Sequence, residues 1–220
     1  MDVRILSIQV GKPKERGADG YSKTNWTSAI FKAPIEGALR LNKLNLVGDG
    51  QADLKNHGGP NRAILLYAVQ HYDYWQQALP TLNWVNGGFG ENLTVEGQTE
   101  DTAAIGDIYT VGDTKVQISQ PRVPCWKLAR RWGQKDLTAR TVETGYTGWY
   151  MRVLEEGTIE AGMTLELLER PFPQWTVRRV TNAMYESVKD PQVGAELVDC
   201  EPLSIGWREM FAERLKKQSD

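Results

Sequence analysis

Ser119-Gln120-Pro121-Arg122-Val123-Pro124-Cys125-Trp126-Lys127-Leu128 joins two different kinds of sequence. Before it, Thr114 to Ser119 alternates polar and apolar residues, which predicts a strand. After it, Trp126 to Trp132 reads as the start of a helix. Pro121 and Pro124 lack a backbone N–H, so the strand ladder should stop between them. A cysteine therefore sits at a strand end in a stiffened loop, three residues after Arg122 and two before Lys127. Nearby cations lower a thiol pKa, so the setting suits a thiolate. It also suits a buried structural cysteine, and the stretch alone leaves both open.

The rest of the chain bounds the choice. Its 220 residues allow one large domain, or one with a small appendage. A net charge of −2 argues against a broad nucleic-acid or membrane surface, so no stable nucleic-acid partner is expected. The two cysteines, Cys125 and Cys200, do not make a disulfide framework and fit a reducing compartment. His57 and His71 are too few for a Cys₂His₂ zinc site, and no CxxC occurs. Met1-Asp2-Val3-Arg4 opens no long apolar run, so neither a signal peptide nor a membrane span is expected, and a cytoplasmic location is. Eight tryptophans suggest aromatic packing or a flat ligand.

Along the chain, Val3 to Val10 alternates as a strand, and Gly11 to Asn25 reads as a loop. Thr27–Pro34 and Gly37–Leu46 read as two further strands, and Gly48-Asp49-Gly50 as a turn. Asp53-Leu54-Lys55-Asn56-His57-Gly58-Gly59-Pro60-Asn61-Arg62 sets paired glycines among Lys55, His57 and Arg62, which is either an anion-binding loop or a solvated turn. It lacks the Walker spacing. Ala63 to Ala68 reads as a strand, and Gln70 to Leu79 as a helix that turns Tyr74 and Trp75 to the body and stops at Pro80.

Gly87-Gly88-Phe89-Gly90-Glu91-Asn92-Leu93 is a second glycine-rich loop, whose Asn92 either bonds a heterocycle or closes an Asx turn. Ile105–Thr110 and Thr114–Ser119 form a hairpin about Val111-Gly112-Asp113. A helix over Leu137–Glu143 and strands over Gly148–Leu154 and Met163–Leu168 follow, the last two joined by a turn at Glu156-Gly157. Beyond Pro171 the apolar spacing becomes helical at Val177, Val180 and Met184, and again at Trp207, Met210, Phe211 and Leu215. The chain thus divides into 1–170, mostly strands, and 171–220, about three helices whose stripes are core. Cys200 lies between Asp199 and Glu201, acids expected to raise its pKa and leave it inert.

Lys55 to Arg62, Gly88 to Leu93 and Ser119 to Cys125, in that order, resemble the MOSC domain, the C-terminal domain of molybdenum cofactor sulfurases. The resemblance extends over nearly the whole chain, helical tail included. It implies an α+β fold, a mostly antiparallel β-barrel with peripheral helices and a C-terminal three-helix bundle. It implies the molybdenum cofactor (molybdopterin with Mo) as ligand, with Cys125 bound to the metal as thiolate. The implied activity is reduction of an N-hydroxylated base such as 6-N-hydroxylaminopurine to the amine. Electrons would come from a separate flavin reductase, since no flavin or iron–sulfur motif is present.

With that family in view, the residue types fit. A soft thiolate suits molybdenum. The cofactor phosphate calls for cations, which Lys32, Lys55, Arg62 and Arg122 offer. Lys32 lies in Ser28-Ala29-Ile30-Phe31-Lys32, which resembles the first barrel strand of the family. Ser28, His57, Gly58, Gly59 and Asn92 complete the expected cofactor contacts, and His57 is by type the nearest proton donor. A persulfide carrier and a non-catalytic cofactor carrier would use the same cysteine.

Overall fold

In a computed structural model, strand β1 (Val3–Val10) pairs at one edge with the last strand of the chain, and that pairing closes the sheet. Residues 2–18, 24–185 and 190–219 are described, apart from the side chains of 55, 56, 218 and 219. In chain order the elements are β1, β2 (Lys14–Arg16), β3 (Trp26–Ser28), β4 (Ala33–Pro34), β5 (Leu39–Leu41), α1 (Leu54–His57), β6 (Ile64–Ala68), α2 (Gln70–Ala78) and β7 (Leu93–Glu96). Then come β8 (Ile108–Val111), β9 (Thr114–Pro121), α3 (Trp126–Trp132), α4 (Leu137–Thr144), β10 (Trp149–Glu155), β11 (Gly157–Ile159) and β12 (Thr164–Glu169). Helices α5 (Val177–Tyr185), α6 (Pro191–Val198) and α7 (Ile205–Ser219) end the chain.

The closed ring runs β12-β8-β9-β10-β6-β7-β1 and is antiparallel except for β6 against β7. A parallel pair needs a long crossover, and α2 with the second glycine loop supplies it. Strand β4 adds to β1, while β2–β3 and β5–β11 are separate ribbons. Alternation sets the faces. Leu66, Trp149, Met151 and Ile118 point into the core, whereas Leu65, Tyr150 and Gln120, paired across the same strands, point the other way.

Several expectations change. Lys14–Arg16, expected as loop, pairs with β3, and residues 19–23 of that loop lie outside the described residues. Thr27–Pro34 is not one strand: after Ser28 the backbone turns, with Lys32 N–H donating to Ile30 at 3.1 Å. The span 37–46 is broken by a turn closed from Asn42 N–H to Asn45 at 2.9 Å, where the apolar alternation slips phase. The turn expected at Glu156-Gly157 leads straight into β11, which pairs with β5. Trp75 is buried as expected, but Tyr74 is exposed at the edge of α2.

The three tail helices have no core of their own. Trp175, Val177, Val180, Leu197, Trp207 and Phe211 belong to the same apolar cluster as Ile5, Ile118 and Trp149 of the barrel. Backbone bonds seal the joint: Ile105 N–H to Trp175 and Val177 N–H to Ala103, both at 2.8 Å. A second cluster, Tyr67, Trp75, Phe89, Leu128 and Leu137, glues α2, α3 and α4 to the outer face of β6. Most of the tryptophans are therefore packing. Among the described residues no helix is long and apolar enough to cross a membrane.

Candidate active site

Strand β9 keeps its ladder to Pro121, opposite Trp149, and Arg122 adds one more bond from its N–H to Gly148 at 3.0 Å. The chain then leaves the sheet, as the two prolines predict. Cys125, in extended conformation, is the residue before the first turn of α3, and its carbonyl accepts from Leu128 N–H at 3.0 Å. Helix α3 is anchored at both ends: Leu128 is buried, and Trp132 Nε1 donates to Gly88 at 2.8 Å. The cysteine is thus held by rigid elements on both sides, with its side chain half-buried at a cleft.

The cleft brings together segments distant in sequence: Ser28, Lys32, Asp49, His57, Arg62, Asn92, Arg122, Cys125 and Tyr150 all line it. Burial pushes the Cys125 thiol up. A hydrogen bond from His57, the charges of Arg122 and His57 and the Lys127 N–H outweigh that, and the net pKa is lowered. His57 in turn has Nδ1 at 3.7 Å from Asp53 Oδ2. Arg122 is buried, and its guanidinium donates to the carbonyls of Phe89 (2.9 Å) and Thr147 (3.4 Å). Among the described residues no carboxylate pairs with it. A buried cation with only neutral acceptors favours an anion beside it, either the Cys125 thiolate or a bound one.

Other expected ligand groups are committed within the protein. Lys32 forms an ion pair with Asp49, and both side chains are almost fully buried. Burial holds the lysine below its usual range, against the pull of Asp49. Asp49 also accepts from Gly11 N–H (2.8 Å) and Asn92 Nδ2 (2.9 Å). Asn92 spends its remaining amide groups on Leu65 N–H and the Gln9 carbonyl. It closes no Asx turn; it braces Asp49 against β1 and β6. Lys32 does not lie in a strand, contrary to expectation, but in the turn that lets it reach Asp49.

The second glycine loop is turned inward. Glu91 Oε1 and Oε2 accept from the N–H groups of Gly87 (2.6 Å) and Phe89 (3.0 Å), and Tyr72 donates to the same carboxylate at 2.5 Å. The N–H groups of Gly88 and Gly90 close local turns. The loop wraps its own carboxylate instead of offering donors to a flat ring. Phe89, Gly90 and Asn92 of this loop line the cleft, whereas Gly58 and Gly59 do not. Gly58 packs on Leu54, where an added Cβ would meet Leu54 Cδ2 at 3.1 Å, and Gly59 takes a φ of 93° that opens the turn before Arg62. The Lys55 side chain is outside the described residues. Ser28 lies at the cleft with its Oγ accepting from Ile30 N–H at 3.1 Å.

Sequence reasoning missed Asp49 and Tyr150. The acid of Gly48-Asp49-Gly50 reads as a turn, and nothing local shows that three separate segments donate to it. Tyr150 reads as one polar step in a strand, but its alternation opposite Trp149 and Met151 already puts it off the core. Burial raises its phenol pKa against the pull of Arg122 and Arg62, so it stays protonated at the cleft wall. Cys200 is buried, and burial, not its acidic neighbours, pushes its thiol up.

Two family models match the chain in succession: the MOSC domain over residues 53–166 and the YiiM-like three-α-helix domain over 175–218. The protein is 36% identical to Protein YiiM of Escherichia coli, covering 85% of this chain and 84% of that one. It is 37% identical to a protein named Reductase from Gibberella moniliformis, covering 80% of this chain and 31% of the larger one. The crystal structure of YiiM from Geobacillus stearothermophilus superposes with a TM-score of 0.81 at 35% identity, covering 97% of this chain and 99% of that one. The glycine turn before Arg62, the cysteine closing the Pro-Arg-Val-Pro loop and the three helices sealing the barrel are thus features of a chain that belongs to the MOSC-domain family, in its YiiM-like form.

Proposed function

We propose that the cleft takes the molybdenum cofactor and that the protein reduces N-hydroxylated bases to amines, with electrons from a separate flavin reductase. The family match, and the Reductase name of one relative, support this reading. The observation that carries it is Cys125: a thiol with lowered pKa, hydrogen-bonded by His57, beside a buried arginine that no carboxylate among the described residues pairs with. Among the described residues no three His, Cys, Asp or Glu side chains cluster as a metal cage. A metal held by one protein thiolate needs its other ligands from the cofactor, and the donor set here fits that division.

Cys125 would ligate the metal, and Arg62 and Arg122 would meet the cofactor's anionic end. When bound, the cofactor supplies the two-electron reduction. The balance is R–NHOH plus two electrons and two protons giving R–NH₂ and water, so the protein must deliver protons to the departing oxygen. Of the groups lining the cleft, the His57 imidazole is assigned the proton transfer and the protonated Tyr150 hydroxyl a hydrogen bond to the departing oxygen. Lys32, Asp49 and Asn92 keep the wall rigid without spending charge on the ligand.

The test is metal and pterin content of protein made in a cofactor-competent host, with turnover of an N-hydroxylated base. Wild type should carry molybdenum, and Cys125→Ser should lose both metal and activity by at least about 100-fold. A Cys125→Ser protein with full metal and full turnover would overturn the proposal. Molybdopterin binding without turnover by any donor would favour a carrier.

A further inference from the structure

Gly97-Gln98-Thr99-Glu100-Asp101 has the composition of a surface turn, and the proposed reaction uses none of it. Yet Glu100 is fully buried. Its carbonyl accepts from the Arg178 N–H of α5 at 2.8 Å. Its carboxylate lies between α2 and the start of β10. Oε2 is 2.6 Å from His71 Nε2, and Oε1 accepts from Gly148 N–H at 2.7 Å. His71 is buried as well, its ring stacked on Tyr146 with the centroids 3.9 Å apart. A carboxylate in such a place costs free energy unless its donors are fixed, so the contact with Gly148 is a firm one.

The Gly148 N–H belongs to the same peptide group as the Thr147 carbonyl, and that carbonyl accepts from Arg122 Nη1 at 3.4 Å. One peptide thus stands between a buried carboxylate and a buried guanidinium, its N–H toward the first and its oxygen toward the second. A carboxylate on the N–H polarises the peptide and strengthens its oxygen as an acceptor. The Gly148 carbonyl also accepts from the Arg122 N–H, so Arg122 is held on this pair of residues by backbone and side chain together. Gly148 suits the place: its φ is 78°, and an added Cβ would meet the Leu66 carbonyl oxygen at 2.4 Å. Tyr67 registers both charges. Burial first, and then Glu100, push its phenol well up, while Arg122 pulls it down.

We infer that Glu100 is a positioning residue: through the Thr147–Gly148 peptide it fixes the Arg122 guanidinium at the Cys125 cleft, where an anion is received. On the cofactor reading of the cleft, that anion is the cofactor's anionic end. The placement of Arg122 does not depend on that reading.

The test compares alkylation of Cys125 by iodoacetate and by iodoacetamide at one pH, in the full chain made in a cofactor-deficient host. Both reagents attack the thiolate, so the ratio of their rates cancels its abundance and reads the local charge. Arg122→Gln should lower the ratio of anionic to neutral reagent by about 3-fold. Glu100→Asp draws the carboxylate back from Gly148, and Glu100→Ala removes it, so each should lower the ratio about as far. Loss of a nearby negative charge would by itself raise the ratio, so a fall in Glu100→Ala reports a displaced Arg122. Glu100→Gln keeps an oxygen on the Gly148 N–H and should stay at or above wild type. In the Arg122→Gln background, Glu100→Asp should change nothing further. Circular dichroism checks folding, and either Glu100→Asp or Glu100→Ala, once folded, decides the matter. An unchanged or raised ratio there, or a fall in folded Glu100→Gln, overturns the inference. In a cofactor-competent host, molybdenum content should fall in Glu100→Ala and hold in Glu100→Gln. If the ratios behave as expected and wild type carries no molybdenum, the cofactor reading fails and the role of Glu100 stands. If wild type carries molybdenum and the ratios do not move, the cofactor reading stands and the role of Glu100 fails.

Discussion

With the Gln120 amide oriented so that its oxygen faces the surrounding donors, the indole N–H of Trp207, in the last helix, donates to that oxygen, in barrel strand β9, at 3.2 Å. In that orientation the same oxygen also accepts from Arg62 Nε at 3.3 Å, and the Gln120 amide nitrogen donates to Ser204 Oγ at 2.8 Å. All of Gln120, Ser204 and Trp207 are buried. The helical tail therefore reaches the cleft through Gln120: Ser204 and Trp207 hold the glutamine that holds a cleft arginine.

That link changes what is expected of the tail. A tail that merely covered the barrel could be trimmed without touching the chemistry. Here Trp207→Ala should cost about 3–5 kcal/mol, because the indole fills the shared core. Trp207→Phe keeps most of the packing and removes the donor, at about 1 kcal/mol. A chain ending at Arg170 should fail to give soluble protein, since Trp175, Val180 and Phe211 are core to the barrel. Urea unfolding of the variants and expression of the truncated chain check this. A soluble, fully stable 1–170 fragment would show that the barrel is a domain by itself.

Cys125 should react at lower pH than an ordinary thiol. Its alkylation by iodoacetamide should rise with pH through a midpoint below the usual thiol range, with Cys200 inert. His57→Ala removes the hydrogen bond and charge of the imidazole while burial, Arg122 and the Lys127 N–H remain, so the midpoint should move up. The same sign applies to stability. A depressed thiol pKa adds stability above the unfolded pKa, and that stability is lost as pH falls through the folded value. Mass spectrometry of alkylated peptides across a pH series reads both cysteines at once. An unchanged midpoint in His57→Ala would sever the pair.

Lys32 and Asp49 should behave as a coupled unit. Asp49→Ala leaves a buried ammonium without its partner and should cost about 3–5 kcal/mol. Lys32→Met combined with Asp49→Ala should cost much less than the two single changes summed, because no charge is then stranded. A double-mutant cycle by urea unfolding measures the coupling. Strict additivity would mean that water already reaches the pair.

The sequence by itself determined a strand-rich body followed by about three helices, the strand-to-helix passage through Cys125 and the cations near it. Those features are local. Alternation at Thr114–Ser119, the two prolines and the helical stripe of Trp207 and Phe211 each act within a few residues. The sequence also carried the motifs of the family, whose order survives in one dimension. Only the tertiary structure decided which polar groups are available to a ligand. Lys32 reads as a phosphate cation and is neutralised by Asp49, 17 residues away. The Gly87–Asn92 loop reads as a cradle, but its donors are taken up by Glu91 and local turns. Tyr150 reads as one strand position and emerges beside Arg122 and Arg62. A side chain's charge is a property of its residue type, but whether that charge is already satisfied depends on partners that only folding brings within hydrogen-bond distance.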